Sequence, residues 1–203
     1  MNKNNLLIIL AFCLIKMGFS QDRRVITTAV PFLMIAADAR ASGLGEQGVA
    51  TTPDAFSQHW NPSKYVFSEN LSGVGVSYTP YLSKLVSDVF LANVNYFNVI
   101  DDRSSWSASF KYFSLGDIDI IQNPQDIPIL ENPNEFTLDG SYSLKLSEYF
   151  ALAVTGRFLM SDVKLQSVDS DSDSASSFAV DISGFFQSDE KSYGNFNGIW
   201  RAG

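Results

Sequence analysis

From about residue 70 onward the chain alternates apolar and polar residues with a period of two, the periodicity of a strand whose faces meet different surroundings. In SSWSASFKYF, Trp106, Ala108, Phe110 and Tyr112 share one face, and Ser105, Ser107, Ser109 and Lys111 the other. In EFTLDGSYSLKL, Phe136, Leu138, Tyr142, Leu144 and Leu146 oppose Thr137, Asp139, Ser141, Ser143 and Lys145. YFALAVTGRFLM sets Phe150, Leu152, Val154, Phe158 and Met160 against Ala151, Ala153, Thr155 and Arg157. SSFAVDISGFF sets Phe178, Val180, Ile182 and Phe186 against Asp181 and Ser183. The pattern predicts six strands, at about 71–81, 86–99, 104–115, 135–147, 149–160 and 177–188, and the start of a seventh at Ile199-Trp200-Arg201.

A soluble sandwich alternates in the same way, so strand length and connections have to decide. The predicted strands are about ten residues long, the length a tilted membrane-spanning strand needs and more than the usual five or six of soluble sheets. Aromatics gather at strand ends (Tyr78, Tyr81, Tyr96, Phe97, Tyr112, Phe113, Tyr149 and Phe150), as in the girdles of outer-membrane barrels. After the first hairpin the connections alternate. Asp101-Asp102-Arg103 and Ser147-Glu148 are short, Leu115–Asn134 and Ser161–Ser177 are long, and Ser188–Gly194 is intermediate. Outer-membrane barrels pair short periplasmic turns with longer outside loops in this way. The fold class predicted is all-β, a transmembrane antiparallel β-barrel. Val154 should then face lipid, and Thr155 the lumen, where an arginine is cheap. Single-chain bacterial barrels start at eight strands and use even numbers, so six or seven read as the N-terminal part of a longer barrel.

Composition agrees. Charged residues make up 18% of the chain, against about 25% in ordinary globular proteins, and there are 16 Phe, 8 Tyr and 3 Trp. Residues 1–20 have a basic start at Lys3, an apolar run from Leu6 to Ile15 and small residues at Gly18 and Ser20. This reads as a secretory signal peptide cut near Ser20/Gln21. The only cysteine, Cys13, leaves with it, which excludes Cys-based zinc and redox chemistry. Losing Lys3 and Lys16 as well leaves 12 basic against 22 acidic residues. That balance disfavours a nucleic-acid partner, which needs a basic patch.

Three stretches invite chemistry. Gly43, Gly45 and Gly48 spell G-x-G-x-x-G. A dinucleotide fingerprint follows a strand, opens a helix and sits in a βαβ unit, whereas here a helix-like MIAADARAS precedes and Pro53 follows soon after. The glycines are better read as allowing tight turns and close packing. His59 lies near Asp54 and Ser57, but a triad needs a geometry that these spacings do not supply. A packed or hydrogen-bonded structural histidine is expected. Asp169-Ser170-Asp171-Ser172-Asp173 resembles the start of a calcium loop, but Ser174 and Val180 stand where glycine and glutamate are required. No catalytic, cofactor-binding or metal-ligating residues are expected.

Residues Thr28 to Tyr65 carry a glycine/alanine stretch (Gly43 to Ala50), an Asp54-Ala55 pair and a Trp60-Asn61-Pro62 corner. This segment resembles the N-terminal region of the PorV outer-membrane proteins of the type IX secretion system, within the wider fatty-acid-transporter-like barrel superfamily. GVSYTPYL, DDRSSWSASFKYFSLGDI and the final WRAG also resemble that family. The resemblance implies a barrel of about fourteen strands, within the bacterial range, whose first half is residues 70–203 and whose lumen is plugged by residues 21–69. The plug motif would be Gly43, Gly45, Gly48, Asp54, His59, Trp60, Asn61 and Pro62, held by paired charges from the inward Asp139, Lys145, Arg157 and Asp181.

The resemblance further implies a non-enzymatic protein of the Gram-negative outer membrane. It would receive secreted proteins through their C-terminal domain and pass them to surface attachment. Its partners would be that cargo, the translocon and attachment-complex proteins, and outer-membrane lipid or lipopolysaccharide. The alternatives are a channel for hydrophobic small molecules, as in fatty-acid-transporter relatives, and a soluble structural β-domain.

Overall fold

The alternating segments form strands, and the computed structural model describes them within residues 30–121, 128–163, 174–194 and 196–203. The predicted signal peptide (1–20) and the Asp169–Asp173 run lie outside the described residues. Contacts group Phe32–Gly203 into one unit; of the unit before it, Met1–Pro31, only residues 30 and 31 are described.

Eleven strands are described: β1 (Ser72–Pro80), β2 (Val89–Asp101), β3 (Ser104–Leu115), β4 (Ile118–Ile120), β5 (Ile129–Glu131), β6 (Asn134–Lys145), β7 (Phe150–Asp162), β8 (Ala175–Gln187), β9 (Lys191–Ser192), β10 (Asn197–Gly198) and β11 (Arg201–Ala202). Seven of them make one antiparallel sheet in the order β1-β2-β3-β6-β7-β8-β11. Neighbours in this sheet follow one another in sequence order, so the topology is a meander. The register shifts once, between Val99 and Asp101. The long connection after β3 holds its own hairpin, β4–β5, and the one after β8 holds β9–β10.

The sheet curls into a half-barrel around residues 32–67, and its polarity is the reverse of a water-soluble sheet. Ser105, Ser107, Ser109 and Lys111 of β3, and Thr137, Asp139, Ser141 and Ser143 of β6, are buried on the concave side. Val74, Val76, Val94, Phe110, Leu138, Val154, Phe178, Val180 and Ile182 are exposed on the convex side. Burying hydroxyls while leaving a continuous valine, leucine and phenylalanine surface open is unfavourable in water and suits hydrocarbon. Aromatics form two levels on this outer face. Tyr78, Phe90 and Tyr112 run across β1–β3 near the long-loop end, with centroids 5.1 and 5.9 Å apart. Tyr96 and Trp106 meet at 5.2 Å near the short-turn end.

Expectations change at four residues. Phe97 points inward, 3% exposed and stacked on Tyr65 at 4.4 Å. Phe113 also packs inward, against Phe32 and Tyr81. Phe97 and Phe113 belong to the interior rather than to a girdle, because the curl turns that parity of β2 and β3 onto the N-terminal segment, and Tyr81, just after β1, meets Phe113 edge-on. Thr155 does face the concave side, but it is only 4% exposed and bonded to Ser141 at 2.7 Å, so it does not line open space. No helix among the described residues is long and apolar enough to cross a membrane, which leaves crossing by strands untouched.

Candidate functional site

The concave side of the sheet is occupied by a segment with four short helical turns: 3-10 turns at Pro31–Met34 and Pro62–Phe67, and two α-helical turns, α1 (Ala39–Gly43) and α2 (Ser57–Trp60). Asp38 caps α1 by accepting from Ala41 N at 2.8 Å, which satisfies an otherwise orphaned donor. After α1 the chain turns through Gly45 and Glu46, both at positive φ. Of the three motif glycines, Gly45 supplies a left-handed conformation and Gly48 a close approach. A Cβ on Gly48 would lie 2.1 Å from Trp60 Cγ, whereas one on Gly43 would meet nothing within 4 Å.

Asp54 organises the next corner. Its carboxylate accepts from Arg40 Nη1 at 2.5 Å, Phe56 N at 3.0 Å and Ser57 Oγ at 3.2 Å, and Arg40 also donates to Thr52. Ser57 is therefore turned to Asp54 and not to His59. His59 meets Trp60 edge-to-face at 4.8 Å. Burial, with Lys111 and Arg157 nearby, lowers its pKa to about 3, so the imidazole is neutral. Trp60 Nε1 is buried without a hydrogen-bond partner among the described residues.

Asn61 is the most fully bonded side chain of the corner. Its amide nitrogen donates to Val49 O at 3.2 Å and to Gly184 O of β8 at 2.8 Å, and its oxygen accepts from Ser63 N and Ser63 Oγ. It thereby caps the 3-10 turn that Pro62 opens. An asparagine is needed because it both donates and accepts, and proline fits because its fixed φ suits a first helical position.

The segment is fastened to the wall at several heights. Lys111 Nζ donates to Phe32 O at 3.0 Å and Ile35 O at 2.7 Å, and Ser77 donates to Ala37 O. Gln58 bridges β3 and β6: its nitrogen donates to Ser141 at 2.7 Å and its oxygen accepts from Ser107 at 2.5 Å. Ser143 donates to Pro62 O at 2.9 Å, and Lys145 lies over the Phe67 ring at 4.8 Å. Within the segment, Lys64 Nζ donates to Gly48 O at 2.6 Å and Thr51 Oγ1 at 3.2 Å. Tyr65 accepts from Gln58 N and donates to Ala55 O, and burial raises its pKa.

The inward charges thus act differently from expectation. Arg157 pairs with Asp139 at 2.8 Å and with Asp181 at 3.4 Å, so these three brace neighbouring strands of the wall. The segment is held by wall hydroxyls, by two of its own amides, Gln58 and Asn61, and by Lys111 on carbonyls. Segment carbonyls accept from Ser77, Lys111 and Ser143 of the wall, and the segment's Gln58 and Asn61 donate back to it.

A family model described as type IX secretion system protein PorV matches residues 19–203. The chain belongs to this family. Comparison with curated proteins returned no match. Membership in the PorV family implies involvement in type IX secretion and an outer-membrane location, with which the sheet's apolar outer face is consistent. In this PorV-family chain Gly48, Trp60, Asn61 and Pro62 meet at one corner, with His59 beside Trp60, while Asp54 organises a corner of its own and Gly43 and Gly45 stand apart. Gln58, Lys64, Tyr65 and Lys111 escaped the sequence reading. Lys111 carried a signal: it is the single charge on the serine face of β3. Gln58 carried none, since a glutamine beside a histidine looks like any surface residue.

Proposed function

We propose that the chain is a non-enzymatic outer-membrane component that receives secreted proteins through their C-terminal domain and passes them to surface attachment. The family match over residues 19–203 carries this reading. The inverted polarity of the sheet supports its membrane part. The loops after β3 and β7, at the long-loop end, are the candidate cargo contacts, and the translocon, the attachment complex and outer-membrane lipid or lipopolysaccharide are the other partners. Bonds running from the N-terminal segment to β1, β3, β6 and β8 favour a blocked interior over a conduit, and so favour this reading over a channel for hydrophobic small molecules.

Deleting the gene tests it. Surface display of large exported proteins that share a C-terminal domain should be lost, and re-expression should restore it. Normal display accompanied by slowed fatty-acid uptake would refute the proposal and establish the channel.

A further inference from the structure

The hairpin between β8 and β11 has the wrong surface for a turn that hangs in water. Tyr193, Phe196, Ile199 and Trp200 are exposed, Trp200 at 65%. Tyr193 and Phe196 stack at 5.4 Å, and Trp200 Nε1 donates to the Tyr193 hydroxyl at 2.5 Å. Together they line an apolar hollow of about 300 Å³.

Strand parity says which way this cluster faces. Ala202 pairs with Phe186 and Arg201 with Gln187, and Ser188 N donates to Trp200 O. Phe186 is on the convex, apolar side, so Trp200, two residues before Ala202, is on that side too. Phe150 is Phe186's partner on β7, and Tyr149 next to it donates to Asp189 at 2.7 Å. The hairpin therefore continues the outer apolar face past the end of β8, at the short-turn end where Tyr96 and Trp106 sit. Its charged residues, Asp189, Glu190 and Lys191, are gathered at its base. Rings with an apolar body and one polar tip, beyond the end of a lipid-facing strand, fit the zone between headgroups and acyl chains.

We propose that Tyr193, Phe196, Ile199 and Trp200 form a foot that lies in the headgroup–acyl boundary of the leaflet at the short-turn end, its aromatic hollow taking phospholipid. This rests on the reading that the convex face meets lipid, and the test separates the two. The full chain is reconstituted in phospholipid bilayers carrying bromine either near the headgroup or near the bilayer centre, and tryptophan emission is recorded for wild type, Trp200→Phe and Trp106→Phe. The difference spectra isolate each residue's emission while the packed Trp60 is left in place. Trp200 should lose emission to the shallow bromines more than to the deep ones. Quenching of Trp106 without any quenching of Trp200 would overturn the foot alone and point to water or a protein partner there. Loss of quenching at both would overturn the lipid-facing reading and the foot with it.

Discussion

Lys64 is the most demanding burial in the N-terminal segment. It is 0% exposed, with carbonyl and hydroxyl acceptors and no carboxylate in contact among the described residues. Burial outweighs the distant pull of Asp54 and lowers its pKa from 10.5 to about 8. The folded chain therefore releases this proton near pH 8, and the unfolded chain near 10.5. Between those values the unfolded state holds more protons, so stability should rise with pH. Unfolding midpoints measured across that window should climb in the wild type, and Lys64→Met should flatten the Lys64 share of the slope. An identical slope in the variant would show that Lys64 is not the titrating group. Gly48 tests packing at the same corner. Gly48→Ala drives a methyl into the Trp60 ring, and overpacking of this kind costs about 1–3 kcal/mol. Trp60→Leu in the same chain should recover part of that loss in denaturant unfolding, because neighbours that clash are not additive. The sequence marks this corner through Gly48, Asn61 and Pro62, each a residue with few substitutes. It does not mark the partners, because a hydrogen bond between Gln58 and Ser141 spans 83 positions of chain and leaves no local pattern.

At the scale of elements, alternation locates every long strand because each repeats its in–out period several times. The ends shift by up to three residues, as at Val89 and Asp101 of β2, where the alternation fades into the turn. β4, β5, β9 and β10 hold two or three residues each, too few for a period to show. Face direction is the element-level claim most open to test. Val154, 52% exposed on the convex side, should lose about 2–4 kcal/mol as Val154→Arg near the membrane midplane. Thr155 is a poor control, since an arginine there would collide with the packing around Gln58 and Ser141. Ser177, exposed and of the inward parity of β8, is the better one, and Ser177→Arg should cost much less. Comparable losses for the two in unfolding from detergent or bilayer would reverse the face assignment.

At the scale of the whole molecule, the relation between wall and N-terminal segment decides what the interior does. The wall groups that hold the segment are serines, a lysine and the Gly184 carbonyl, all of which water can solvate in the segment's place. The wall's own bracing, Asp139–Arg157–Asp181, does not involve the described residues of the segment. Removing residues 22–65 should therefore leave the strands paired while opening the concave side to water, and that separation gives two readouts. Circular dichroism of the truncated protein should keep its strand signal, while small solutes should cross membranes bearing it faster than those bearing the intact chain. Retained strand structure with unchanged permeability would mean that the segment is not a plug. Loss of the strand signal would mean that it is an integral part of the wall's core, a role its buried Phe32, Tyr65 and Val66 also fit, and the hydration of the exposed hydroxyls would then be too weak to replace it.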